Sequence, residues 1–221
     1  MLRYARLAVL VSLLVVPAGG AEAAIGPVEV TLPPAVAALL AHRPATDSLR
    51  GTFTLETQDV NGGGRRHGDF AIVRGQGGQP TRYHFKMAKP DGSDLERHCS
   101  DGQRSWKVAQ ADPGWPMDVQ VLAPGADADF RRVADCLLVE TVALMKDFLP
   151  GVENVGERPV LILKPRTEDL QRDLASIRIH LSALGDPEDL AIDDGKGTVI
   201  TVRFAGIVRN GPLEPALFRV E

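Results

Sequence analysis

Leu49-Arg50-Gly51-Thr52-Phe53-Thr54-Leu55-Glu56 sets the architecture of this chain. Leu49, Gly51, Phe53 and Leu55 alternate with Arg50, Thr52, Thr54 and Glu56, the period of two that gives a strand one dry and one wet face. Working outward, Asn61 to Gly68 (NGGGRRHG) reads as a polar, glycine-rich hairpin tip, and Phe70 and Ile72 restart the alternation. A turn over Gly75 to Pro80 leads to Tyr83, Phe85 and Met87 on one face. Lys89 to Asp94 (KPDGSD) is a second turn, and Ser100-Asp101-Gly102 a third, before a strand carrying Trp106 and Val108. Met117, Val119 and Val121 alternate again. Such a succession predicts a meander of antiparallel strands, each with one apolar side.

The period lengthens between Asp127 and Leu149. Phe130, Val133, Ala134, Leu137, Leu138, Thr141, Val142, Leu144, Met145 and Phe148 recur at three and four residues, which predicts a helix. Asp127 or Asp129 can cap it, and Pro150-Gly151 can stop it. Earlier, residues 24–32 read as an extended leader, and Pro33-Pro34 opens a short helix with Val36, Leu39 and Leu40 on one side. Strands resume at Pro159 to Lys164, Ser176 to Leu181, Leu190 to Asp193, Thr198 to Phe204 and Ala216 to Val220. The expected class is α+β, mainly β. It is one strongly curved antiparallel sheet, an incomplete barrel, with helices laid against its concave face.

Ahead of this domain stands an export signal. Arg3 and Arg6 precede the apolar run Leu7 to Val16, Pro17 and Gly19-Gly20 break it, and Ala21-Glu22-Ala23 supplies small residues for cleavage. The run is too short to cross roughly 30 Å of hydrocarbon. The chain therefore divides into a signal peptide at 1–23 and a single domain at 24–221. The formal net charge of −4 comes without a basic stripe, which argues against a nucleic-acid partner. In an oxidising compartment Cys99 and Cys136 are expected to pair as a disulfide; the spacing of zinc ligands is missing.

Residues for catalysis do not assemble. His42, His67, His84, His98 and His180 are scattered, and His84, between Tyr83 and Phe85, is expected to face solvent. Acidic residues such as Asp91, Asp101, Asp193 and Asp194 sit in turns, where they bond their own backbone. No nucleophile, metal or phosphate motif is present, so neither an enzyme nor a cofactor is expected. What stands out is apolar surface: Phe53, Leu55, Phe70, Ile72, Tyr83, Phe85 and Trp106 on the sheet, with Leu138 and Met145 on the helix. The residues alone leave two readings open, an ordinary filled core or a cavity for a hydrophobic ligand.

Several motifs in order resemble the LolA-type periplasmic lipoprotein carriers. Leu49-Arg50-Gly51-Thr52-Phe53 is similar to that family's first long strand. Gly68-Asp69-Phe70-Ala71-Ile72-Val73-Arg74 with Arg82-Tyr83-His84-Phe85 resembles its next segment, and Ser100-Asp101-Gly102 followed by Trp106 its S-D-G-x-x-x-W motif. Leu161 to Pro165, Asp194-Gly195 with Ile200 to Phe204, and Asn210 to Phe218 resemble its later steps. The resemblance implies an open barrel lidded by helices over an apolar cavity lined by the nine residues named above. It also implies an acylated lipoprotein or lipid-like cargo, with an inner-membrane exporter and an outer-membrane acceptor as partners, and a monomer. Arg74 matches the family arginine that bonds the lid; read by itself, it is equally a strand-end residue facing water. A Cys99–Cys136 bond would tether that lid to the sheet. A second reading keeps the fold and makes it an envelope sensor that binds a protein partner.

Overall fold

The computed structural model describes residues 33–220 apart from 42–44, 60–61, 77–78, 139–144, 157 and 184. Six strands come first: β1 (Ser48–Asp59), β2 (Gly62–Val73), β3 (Arg82–Ala88), β4 (Leu95–Ser100), β5 (Ser105–Gln110) and β6 (Asp118–Val121). Five follow: β7 (Phe148–Val155), β8 (Arg158–Pro165), β9 (Ser176–Leu181), β10 (Pro187–Asp193) and β11 (Val199–Arg209). All belong to one antiparallel sheet in the order β6-β5-β4-β3-β2-β1-β11-β10-β9-β8-β7. Two meanders are thus joined where β1 pairs with β11, and β6 and β7 stay as edges, so the sheet does not close. The helices are α1 (Pro34–Leu40), α2 (Ala128–Leu138) and α3 (Glu168–Gln171), with a 3-10 turn at Pro215–Phe218.

The opening octapeptide does its work through two mirrored Gly-x-Phe triplets. In the β1–β2 register Gly51 stands opposite Phe70 and Phe53 opposite Gly68. Each ring lies over the glycine across from it. A Cβ on Gly68 would stand 2.8 Å from the Phe53 ring and 1.9 Å from the Lys86 carbonyl oxygen; one on Gly51 would stand 3.2 Å from Phe70. Strand glycines of this kind mark close approach of neighbours. The rings continue as a chain in which Phe70 meets Phe204 edge-on at 5.6 Å and stacks near Phe85 at 6.3 Å. These are the offset and edge-on arrangements that aromatic quadrupoles favour.

Pairing partners share a face, so the register divides the sheet into two sides. The inner side carries Leu49, Phe53, Ile72, Phe70, Tyr83, Phe85, His98 and Ser100, and continues through Phe204, Val202, Leu190, Ile179 and Leu161. Helix α2 packs here. The outer side carries Ala71, His84, Cys99 and Trp106, and the C-terminal 3-10 turn crosses it over β3 and β4.

Four expectations change. The helix expected to run to Leu149 stops short of it: residues 128–138 and 145–147 are helical, residues 139–144 lie outside the described residues, and Phe148 to Pro150 pair with β8 as strand. Phe148 is fully buried on that strand, so its fit to a helical period was coincidental. Gly62 to Gly64 belong to β2 rather than to a tip, because their backbones pair with Thr57 to Asp59. Ala216 to Val220 form no strand; Pro215 lacks an amide to pair and starts the 3-10 turn. Last, His84 is buried rather than solvent-facing, with Nε2 3.1 Å from Asp69 Oδ2 and Nδ1 3.1 Å from the Leu217 carbonyl oxygen. The proposed signal peptide and the leader to residue 32 lie outside the described residues.

Candidate functional site

The inner face has a dense centre and an incompletely covered flank. Phe53, Phe70, Ile72, Tyr83 and Phe85 are buried in the centre, with Leu137 and Leu138 of α2 and Val36 of α1 pressed on them. Beside them Leu55, Val202, Ile192, Phe204 and Val152 pack on the same cluster and remain part-exposed, as do Leu39 and Leu40 of α1. Leu55 pairs with Val202, and Val202 with Leu190, so this flank is one apolar row running across β1, β11 and β10. Met145, in the helical residues just before β7, is also part-exposed.

Helix α2 is clasped at three points. At its start Asp127, 4% exposed, accepts hydrogen bonds on one carboxylate oxygen from Tyr83 (3.0 Å), Ser105 (2.6 Å) and Arg131 (2.8 Å). Burial alone would raise this carboxyl, yet the Ser105 bond, the Arg131 charge and the Tyr83 bond outweigh it and hold the group below the ordinary range. The same burial and the Asp127 charge push the Tyr83 phenol up. Midway, Thr81 Oγ1 donates to Asp135 at 2.9 Å, and burial raises the Asp135 carboxyl in spite of that bond. At Leu138, the last described residue of α2, Arg74, immediately after β2, donates from Nη2 to the carbonyl oxygen at 3.2 Å and from Nε to the Thr46 carbonyl oxygen at 3.1 Å. The guanidinium thus ties the last described residue of α2 to the segment before β1.

Two expected site residues fall elsewhere. Trp106 pairs with Cys99 and both point to the outer face, away from the apolar inner side; the inner positions of β5 are Ser105, Lys107 and Ala109. Cys99 and Cys136 are not joined. Cys136 sits in the core beneath α2, whereas Cys99 is one residue out of phase with the inner positions His98 and Ser100. Burial raises the Cys99 thiol, so it stays protonated and inert.

No family model matches the chain. The outer-membrane lipoprotein carrier protein of Alkalilimnicola ehrlichii is 26% identical over 176 residues, covering 79% of this chain and 73% of that protein. The chain is thus similar, at a distance, to a lipoprotein carrier. Among solved structures, a DUF1329 family protein from Desulfovibrio piger aligns at TM-score 0.49 and 9% identity, covering 83% of this chain and 94% of that one. A LolA superfamily protein from Nitrosomonas europaea aligns at TM-score 0.41 and 10% identity, covering 83% and 96%.

Phe130 of α2 stacks on His98 with ring centroids 3.8 Å apart, and also approaches Tyr83 and Phe85. His98 is buried, which pushes its imidazole down against the opposing pull of Glu96, and its Nδ1 has no hydrogen-bond partner. Glu96, Arg66 and Lys107 gather around it on the inner face, with Arg66 3.6 Å and Lys107 3.9 Å from Glu96. Glu96 is held below its usual range by His98 first, then by Lys107 and Arg66. Sequence reasoning missed both this polar corner and the Asp127 clasp. One signal was legible: Tyr83 stands between Ile72 and Ser100 on a buried row, where a phenol needs an acceptor that phenylalanine does not.

Proposed function

We propose that this protein is a periplasmic carrier. Residues 1–23 direct export and are removed. The inner face then takes the acyl chains of a lipoprotein or lipid-like cargo and carries them between an inner-membrane exporter and an outer-membrane acceptor, without covalent chemistry. The observation that carries this reading is the part-exposed apolar row Leu55–Val202 with Phe204, Ile192 and Val152. It borders a helix that polar clasps, rather than continuous sheet, hold in place. Burying each CH₂ is worth about 0.8 kcal/mol, so a long acyl chain gains on the order of 10 kcal/mol gross. That matches what a membrane offers and lets small changes at the clasps decide retention or release. Lifting α2 would join the flank to the buried aromatic centre.

Native mass spectrometry of gently isolated protein is expected to show bound lipid, and a fluorescent acyl probe to bind the delipidated protein. Val202→Asp places a charge in the row and is expected to abolish probe binding while leaving the fold intact by circular dichroism. Absence of both bound lipid and probe binding would overturn the reading. A protein partner recovered by crosslinking without lipid would favour the sensor alternative.

A further inference from the structure

The two edges of the sheet differ. On β7 the strand contains Pro150, which has no amide to offer, and Glu153, and α1 packs against it. Proline and charge are the usual means of keeping an edge from pairing. Strand β6 has no proline within its span and one charge, Asp118, at its first residue: Asp118, Val119, Gln120 and Val121 are all exposed, and Trp115 and Met117 just before them are 63% and 60% exposed. Two apolar rows of the outer face run off this edge. Cys99, Trp106 and Val121 form one; Val108 and Val119 belong to the other. Trp106 and Val108 are buried, while Val121 and Val119 are not.

We propose that β6 pairs antiparallel with β6 of a second copy of this chain, joining two sheets into one across a two-fold axis. The register follows from the face rule, since only odd residues point outward and opposite residues must share a face. Centring on Asp118 would oppose two carboxylates. Centring on Gln120 would leave Met117 and Asp118 at or beyond the end of the pairing. Centring on Val119 opposes Val119 to its own mate and Met117 to Val121 of the second copy. It also sets Asp118 against Gln120 of the second copy. Gln120 Nε2 already donates to Asp118 Oδ2 within one strand at 2.8 Å. In the pair that bond is exchanged for two reciprocal ones between copies. The resulting outer row of Val121, Val119 and Met117 from both copies continues the buried Trp106 and Val108, and Trp115 flanks each end. Four residues per strand make the pairing reversible, so association depends on concentration.

The carrier reading does not enter this argument, and acyl-probe binding is read separately. Sedimentation velocity on the exported chain over a range of concentrations is expected to show a monomer–dimer equilibrium. Val119→Lys sets two ammonium groups side by side on the axis and is expected to give monomer throughout, with an unchanged thermal transition. Under oxidation Val119→Cys is expected to form a covalent dimer, because position 119 faces its mate. Val121→Cys is expected not to, because it faces Met117. A wild-type chain that stays monomeric to its solubility limit, a Val119→Lys variant that still dimerises, or equal crosslinking at 119 and 121 would each overturn the proposal.

Discussion

Helix α2 is fastened by opposite means at its start and at Leu138, its last described residue. At the N-terminal end a buried carboxylate gathers three donors, two of them from β3 and β5, so the helix is fixed to the sheet through side chains. At Leu138 the Arg74 guanidinium, itself part-exposed, reaches that helix carbonyl and one carbonyl of the chain before β1. Removing Asp127 strips the Tyr83 and Ser105 hydroxyls of a shared acceptor inside the core; removing the Arg74 guanidinium withdraws one donor from each of two backbone carbonyls. Under the carrier proposal, the Asp127 end would serve as a pivot and the Arg74 contact as a latch. A lid that must move is better served by this asymmetry than by equal anchors, because one end can release while the other keeps register.

The sharpest way to break that comparison is Asp127→Ala. Tyr83 and Ser105 lose their acceptor inside the core, and an expected loss of about 3 kcal/mol follows, read by urea unfolding. Arg74→Leu should cost less, about 1–2 kcal/mol, and should speed release of bound acyl probe several-fold. Equal losses for the two variants, with no change in release rate for Arg74→Leu, would remove the distinction between pivot and latch.

Acid should separate the clasps as well. The folded-state carboxyl of Asp127 is depressed, so its contribution is complete above the ordinary carboxylate range and is lost as pH falls through the lower folded value. That of Asp135 is raised, so the folded state takes up a proton there at a pH where the unfolded chain has not, and stability rises as pH falls through that window. Asp135→Asn is expected to flatten stability just above the ordinary carboxylate range, and Asp127→Asn below it. Thr81→Val, which removes the donor to Asp135, should cost about 1 kcal/mol near neutral pH and less once Asp135 is protonated.

How far the sequence carried follows the same physics. Strands with one wet face were legible: Ser176–Leu181 falls at its expected bounds, and β1 within a few residues, because period-two alternation is strong where only one side is buried. It failed where both sides are buried. In β5 the apolar residues Trp106 and Val108 point outward beneath covering chain, and the inner positions are Ser105 and Lys107, so choosing the apolar side as the inner one put Trp106 on the wrong face. The same one-residue phase separates Cys99 from Cys136. Arg74 bonds the Leu138 carbonyl oxygen, a contact that composition and spacing left open. The Asp127 clasp joins residues 44 apart in sequence, and no local pattern encodes that pairing.

His98 gives the smallest effect and the finest test of the pivot end. Its ring lies flat on Phe130, one turn into α2 from Asp127, and contributes stacking while leaving Nδ1 buried without a partner. An orphaned buried polar atom costs free energy that an apolar ring of the same shape does not. The counterweight is the pull between His98 and Glu96, whose nearest atoms are 3.9 Å apart, too long for a hydrogen bond. Glu96 also keeps Arg66 and Lys107 as partners when the imidazole is gone. His98→Phe is therefore expected to stabilise the fold by up to about 1 kcal/mol and to slow probe exchange slightly by tightening the seat of α2. A destabilised variant would show that the imidazole, rather than the clasp at Asp127, orders the first turn of the helix.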